Sequence, residues 1–366
     1  MAKTNVDLVL VNPGNRKRIY QSLAEDLSAI EPPIWAGLMG TFVRNHGFSV
    51  EILDANAENL TIDETAELLC EMDPLLIAVV VYGQNPSAST QVMPAAGAIC
   101  TSIKEKSPNS KVLLVGGHVA ALPKRTLQDE DADFVCGGEG LQTLVELIPA
   151  LKSNRIEDYN EVSDLWYLDN GNVHSNPPAP LTRTLDVDMP EVAWDLLPMN
   201  KYKAHNWHTF GKLETRNKYA SLQTSLGCPF KCTFCCINAP FERNTIRFWS
   251  PKYIINQIKI LVEEYGIFNI KIPDEMFVLN PKQVTGICDE IISMGYGDRL
   301  NFWAYARIDT LEDNQMLKKM IKSGFKWLAL GIESSSKHVR DGVVKGRFDN
   351  YDIEGIVKKV RDMGFY

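Results

Sequence analysis

The sequence predicts an α/β protein built in two parts: a doubly wound, Rossmann-like domain followed by a partial (β/α) barrel. Three observations lead there. From residue 6, short β-rich runs alternate with helix-period segments, the pattern of a parallel sheet with helical crossovers. The runs are almost continuously apolar, as strands covered on both faces are. A second series of the same kind begins at Tyr219, after a stretch in which the periodicity fades.

In the first series the strand candidates are VDLVLV (6–11), FSVEIL (48–53), LLIAVVV (75–81), KVLLVGG (111–117) and ADFVCGG (132–138). Helices are expected near 33–46, 61–72, 88–106 and 140–152, the first closed by Gly47, a residue able to take left-handed backbone. This gives a doubly wound domain over residues 1–152. Across 153–217 the pattern decays. Asn176-Pro177-Pro178-Ala179-Pro180 and the aromatics Trp194, Tyr202, Trp207 and Phe210 read as a long, partly packed connector that covers something rather than merely linking.

The barrel part, 218–366, opens with YASLQTS (219–225) and a cysteine-rich loop. Ser250 and Pro251 then supply the cap and first position of a helix carrying Ile254, Ile255, Ile258 and Leu261. FNIKI (268–272), a helix after Asn280-Pro281, LNFWAYA (300–306), a helix over 311–323, KWLALGI (326–332) and a helix ended by Gly364 follow. Four βα units in succession predict a partial barrel, and the chain stops where a fifth strand is due. A sheet left open beside Trp327–Ile332 is a pairing liability, so the expectation is a fragment, or a wall completed by another chain.

Composition narrows the classes. With 45% hydrophobic and 23% charged residues the chain reads as globular. A net charge of −8 without a dense Lys/Arg stripe argues against a nucleic-acid partner. The first apolar run, about six residues, is too short for a secretion signal or a membrane span, so cytoplasmic residence is the default expectation. Cys70, Cys100, Cys136 and Cys288 lie in apolar or helical surroundings and read as small packing hydrophobes.

The other cysteines lie together in Ser225-Leu226-Gly227-Cys228-Pro229-Phe230-Lys231-Cys232-Thr233-Phe234-Cys235-Cys236. The spacing C-x3-C-x2-C offers three thiolates from one loop. A cubane cluster has four irons, so three cysteines leave one iron open to a chelating ligand. Structural zinc wants four closed ligands, usually in two pairs, and no second C-x2-C or H-x3-H pair exists. Cys236, adjacent to Cys235, is expected to pack or support rather than ligate.

This loop, with Phe234 before its last cysteine, resembles the radical SAM superfamily motif. The resemblance implies that Cys228, Cys232 and Cys235 hold a [4Fe–4S] cluster whose open iron binds S-adenosylmethionine (SAM) through its amino and carboxylate groups. It extends to Ile272-Pro273-Asp274-Glu275-Met276-Phe277, where the family carries acidic residues near the SAM amine. It continues to Arg307, matching an arginine near the SAM carboxylate or ribose, and to Gly331-Ile332-Glu333-Ser334, whose glutamate approaches the ribose. Asp274 and Glu275 stay unranked, because neighbouring strand residues point to opposite faces. All these features fall at C-terminal ends of strands, the mouth where barrel enzymes carry ligands.

The first part has a resemblance of its own. Pro32-Pro33-Ile34, His46-Gly47-Phe48, Gly116-Gly117-His118 with Leu122-Pro123, and Gly137-Gly138-Glu139-Gly140 resemble the cobalamin-binding domain fused to many radical SAM enzymes, over residues 5–150. By themselves, glycines at the carboxyl ends of parallel strands suit a nucleotide or flavin equally. The resemblance implies cobalamin contacts from Asn12, Tyr82, Gln84, Gly116, Gly117, His118, Gly137, Gly138 and Glu139. None of the six histidines has the Asp-x-His-x-x-Gly context of a cobalt ligand. The expectation is therefore that no histidine ligates cobalt from below and that the loop from Tyr82 to Pro86 lines the lower face; the resemblance implies that His118 lies near the nucleotide tail.

Together the resemblances imply reductive cleavage of SAM to a 5′-deoxyadenosyl radical, with a methyl group passed from methylcobalamin to an unactivated carbon of a small-molecule substrate. A non-methylating rearrangement or cyclisation fits the same motifs, and a non-catalytic cobalamin-binding sensor is the alternative of another class. A reduced flavodoxin or ferredoxin is implied as electron donor. The substrate is not encoded in any motif.

Overall fold

The computed structural model describes residues 6–14, 28–83, 85, 88–153, 155–205, 218–343 and 351–366. Gln84, Pro86, Trp207 and Phe210 lie outside the described residues. The chain divides into two compact units, residues 1–201 with 236–243, and residues 202–235 with 244–366.

The first unit is a seven-stranded sheet in the order β2-β1-β3-β4-β5-β6-β7. Its parallel part comprises β1 (Leu8–Asn12), β2 (Val50–Asp54), β3 (Leu76–Val81), β4 (Val112–Gly116) and β5 (Phe134–Cys136). Helices α1 (Ile34–Asn45), α2 (Ile62–Met72), α3 (Met93–Lys106), α4 (Gly117–Ala121), α5 (Pro123–Asp129) and α6 (Leu141–Ser153) make the crossovers. Strand alternation explains the continuous apolar runs. Val9, Val11, Ile77 and Val79 join Leu69 of α2 and Ile99 and Ile103 of α3 in one core, while Leu8 and Leu10 are fully buried on the opposite face. α2 starts with a capping box, Thr61 accepting from the Glu64 N–H and Glu64 from the Thr61 N–H. Gly47, at φ +86°, follows the end of α1.

The stretch read as a connector contains structure of its own. β6 (Leu165–Asp169) and β7 (Asn172–Ser175) form an antiparallel hairpin that extends this sheet beyond β5. Its two-residue turn is Asn170-Gly171, both at positive φ (+48° and +79°), the geometry that matches strand twist. The sequence signal was present: Asn-Gly between alternating runs is a strong hairpin mark.

The second unit holds a four-stranded parallel sheet, β13-β12-β11-β8. Its strands are β8 (Tyr219–Ser221), β11 (Asn269–Ile272), β12 (Asn301–Ala306) and β13 (Phe325–Leu330), and the crossovers are α7 (Pro251–Glu263), α8 (Pro281–Ser293) and α9 (Asn314–Lys322). The expected single strand 219–225 is divided. β8 ends at Ser221, and β9 (Ser225–Gly227) pairs antiparallel with β10 (Ile246–Phe248) instead. After β13 come α10 (Lys337–Gly342) and α11 (Ile353–Asp362), and Tyr366 bonds along the β13 edge, its N–H to the Lys326 carbonyl (2.8 Å) and its carbonyl from the Leu328 N–H (3.2 Å). Among the described residues no helix is long and apolar enough to cross a membrane.

Candidate cofactor sites

In the second unit the sites marked in the sequence follow the C-terminal ends of parallel strands. The cysteine loop comes after β8 and β9, Asp274 and Glu275 after β11, Arg307 directly after β12, and Glu333 just past β13. Gly227, at φ +86°, turns the chain into the loop. Cys228 is buried, and Cys232 and Cys235 are half-buried, with the Cys235 N–H donating to the Cys232 carbonyl at 3.2 Å. Burial pushes the Cys228 thiol up. The Phe230 N–H lowers it, Glu275 and Cys232 add to the rise, and Arg307 opposes it. Cys232, Glu275 and Arg307 thus all act electrostatically on Cys228.

Arg307 is the most constrained of them. Only 3% of it is exposed, and its guanidinium lies 3.9 Å from the centre of the Phe230 ring, inside the cysteine loop. Asp309 holds it through two bonds, Nε to Oδ1 at 3.0 Å and Nη2 to Oδ2 at 2.9 Å. It stands on the same strand face as Trp303, and the register row Ser221–Lys271–Trp303–Trp327 runs across that face. On the other face Ala220, Ile270, Phe302 and Ala304 are buried and apolar.

The acidic pair separates. Asp274 is buried and accepts from the Thr224 N–H (2.9 Å), the Thr224 hydroxyl (2.6 Å) and the Ser225 hydroxyl (2.6 Å). Burial pushes its pKa up to about 6 against those hydrogen bonds. These bonds replace the strand ladder after Leu222, which is why β8 stops and β9 turns away. Asp274 thus anchors the entry to the loop, while Glu275 is half-buried near Cys228. Phe234 is 55% exposed, and Glu333 is exposed with left-handed backbone (φ +64°). Arg340 of α10 donates from Nη1 to the Ser334 and Ser335 carbonyls (2.6 and 2.8 Å) and pins the Glu333 segment, a role no sequence spacing announced.

Among the described residues no group of three or more His, Cys, Asp or Glu side chains is gathered as around a single ion. The loop's donors are thiols without a competing imidazole or carboxylate between Ser225 and Cys236, the donor set that suits an iron–sulfur cluster.

In the first unit Asn12, Tyr82, Gly116-Gly117-His118 and Gly137-Gly138-Glu139 all stand at or just beyond strand C-termini, with Asn12 and Tyr82 at the β1/β3 switch point. Asn12 donates to Asp54 (2.7 Å), which also caps the turn at Ala57 (3.0 Å). The His118 N–H donates to the Ser89 hydroxyl (2.9 Å) and its Nδ1 lies 3.0 Å from the Thr90 hydroxyl. Burial, then Arg125, holds its pKa below the ordinary value. Burial, then Cys136, Glu139 and Cys236, raises the Tyr82 phenol well above its usual range.

The glycines at these strand ends also have close neighbours within the chain. A Cβ on Gly116 would meet the Val81 carbonyl at 2.1 Å, on Gly137 the Trp166 indole at 2.9 Å, and on Gly138 the Asp164 carboxylate at 2.2 Å. They admit the protein's own packing, including the β6–β7 hairpin, before any ligand. A cavity of about 270 Å³ opens beside this turn, lined by Glu139, Gln142, Asp164, Phe241 and Arg243 among others. Ligand fit shows elsewhere. The Tyr82 hydroxyl and the Trp35 Nε1–H are buried and have no hydrogen-bond partner among the described residues, so the crevice holds donors that no described acceptor satisfies.

The B12 binding domain family matches residues 21–148, and the Radical SAM superfamily matches residues 222–366. The uncharacterized methyltransferase PH0819 of Pyrococcus horikoshii is 30% identical over 336 residues, 92% of this chain and 68% of that protein. The anaerobic magnesium-protoporphyrin IX monomethyl ester cyclase of Cereibacter sphaeroides is 26% identical over 90% of this chain and 51% of its own length. In structure, the radical SAM methyltransferase TsrM from Kitasatospora setae, solved with cobalamin and a [4Fe–4S] cluster, superposes with a TM-score of 0.73 at 17% identity, over 98% of this chain and 65% of that one. The chain therefore spans about half to two thirds of the length of these relatives. With a B12 binding domain ahead of a radical SAM domain, and a relative 30% identical over 92% of this chain and 68% of its own length, this chain belongs to the cobalamin-dependent radical SAM family.

Proposed function

We propose that this chain carries the cofactor machinery of an enzyme that methylates an unactivated carbon of a small molecule. In this reading Cys228, Cys232 and Cys235 hold a [4Fe–4S] cluster, Arg307 receives the SAM carboxylate, Glu275 the SAM amine, and Glu333 the ribose, with Phe234 beside it. Asp274 acts at one remove, by fixing the entry to the cysteine loop. The first unit takes cobalamin at the strand ends from Asn12 to Glu139. When bound, the cluster supplies the electron that cleaves SAM and cobalamin serves as the methyl carrier.

One observation carries the reading: the Arg307 cation, fixed by Asp309, lies on the ring of the loop that bears the three thiols. A zwitterionic amino acid needs a cation for its carboxylate and a carboxylate for its amine, and Arg307 and Glu275 both act electrostatically on Cys228. The partners this chemistry requires are a small substrate and a low-potential reductant, such as reduced flavodoxin or ferredoxin. The cyclase among the relatives supports a second reading, ring closure without methyl transfer. Anaerobically reconstituted protein given SAM with a deuterated methyl group separates the two. Methylation expects the label on the bound corrinoid and then on the product; a turned-over product without label favours cyclisation.

A further inference from the structure

Two buried donors of the first unit share one aromatic stack. Tyr82 directly follows β3 at the switch point, and Trp35 lies in the first turn of α1. Their rings are 4.6 Å apart with planes 6° from parallel, and Phe241 continues the stack at 6.3 Å from Trp35. Trp35 is only 5% exposed, yet among the described residues its Nε1–H has no hydrogen-bond partner, and neither does the buried Tyr82 hydroxyl. An indole N–H can only donate, and the raised phenol stays protonated, so both groups call for acceptors. Proteins leave few buried polar groups unmade, because each then forfeits its hydration without return. Two on one stack, at the crevice where open α/β sheets bind ligands, mark a contact completed from outside the chain. Glu139 is among the charges acting on Tyr82, which favours a neutral carbonyl over an anionic acceptor.

We propose that Trp35 and Tyr82 are cofactor-binding residues that donate to side-chain amide carbonyls on the rim of a corrinoid. The assignment rests on the reading of this unit as a cobalamin site. The test is titration of the full chain with hydroxocobalamin and with cobinamide, which lacks the nucleotide tail, for wild type, Tyr82→Phe and Trp35→Phe, with melting curves of the cofactor-free proteins.

Each variant should bind both corrinoids about tenfold more weakly, the worth of one hydrogen bond. Cofactor-free Tyr82→Phe should melt no lower than wild type, since it loses only an unmade donor. Unchanged affinity in both variants would overturn the assignment, as would a lowered melting point in cofactor-free Tyr82→Phe, which would reveal an internal partner. A loss seen with cobalamin but not cobinamide would move the acceptor to the nucleotide tail and overturn the rim assignment. Wild type that takes up neither corrinoid would overturn the cofactor reading as well.

Discussion

Asp164 shows how single residues are bent to the needs of the site. Its backbone is left-handed (φ +60°), its carboxylate lies where any Cβ on Gly138 would be, and it accepts from the Ala179 N–H at 3.0 Å. Burial pushes its pKa up to about 6; the Ala179 N–H works against this, and Glu242, Glu139 and Glu146 add to it. A carboxyl raised above its unfolded value of roughly 3.9 holds its proton more tightly when folded, so its contribution to stability falls as pH rises from about 4 through about 6. Asn tolerates this φ and keeps an acceptor without the charge. Asp164→Asn should therefore melt higher than wild type at pH 8, with the gap narrowing below about pH 6 and closing only near pH 4; paired melting curves with a pH-independent gap would contradict this. The acidic pair of the second unit teaches a related lesson. Sequence placed Asp274 and Glu275 together but left them unranked, because the choice depends on which one Thr224 and Ser225 claim, a contact across 49 and 50 residues of chain.

Among the elements, what was legible was whatever periodicity encodes. The five parallel strands of the first sheet, the four of the second and the helices between them follow from apolar runs and caps, because burying those runs dictates the layers. The β6–β7 hairpin went unread although its Asn170-Gly171 turn is a local signal, and the division of β8 from β9 depended on a side chain far along the chain. Two glycines show how space, beyond backbone sign, sets an element's tolerance. Gly116 (φ +151°) ends β4 against the Val81 carbonyl, whereas Gly47 (φ +86°) has nothing within 4 Å of an added Cβ. Gly116→Ala should cost about 3 kcal/mol or more, combining strain with a backbone clash. Gly47→Ala should cost only about 1–2 kcal/mol. Equal losses in chemical denaturation would show that the β4 turn yields more readily than its contacts imply.

For the molecule as a whole, the chain passes between its compact units at 201/202, 235/236 and 243/244, and the second passage separates Cys235 from Cys236. Adjacent cysteines thus belong to different units. Cys235 stays with the other two thiols of the motif, whereas Cys236 acts on Tyr82 in the first unit. Sequence spacing made Cys236 an unsuitable ligand, but which unit it serves was beyond reach of any motif. The measurement that tests the account most directly is iron content, retained cobalamin and 5′-deoxyadenosine formation after anaerobic reconstitution with iron, sulfide and hydroxocobalamin, with SAM and reductant then supplied. It compares wild type, Cys228/Cys232/Cys235→Ala and Cys236→Ala. Cluster iron and 5′-deoxyadenosine are expected in wild type, with cluster iron retained in Cys236→Ala and both lost in the triple variant while cobalamin is kept. Iron and 5′-deoxyadenosine that survive removal of the three cysteines, or a wild type that assembles no cluster, would contradict it.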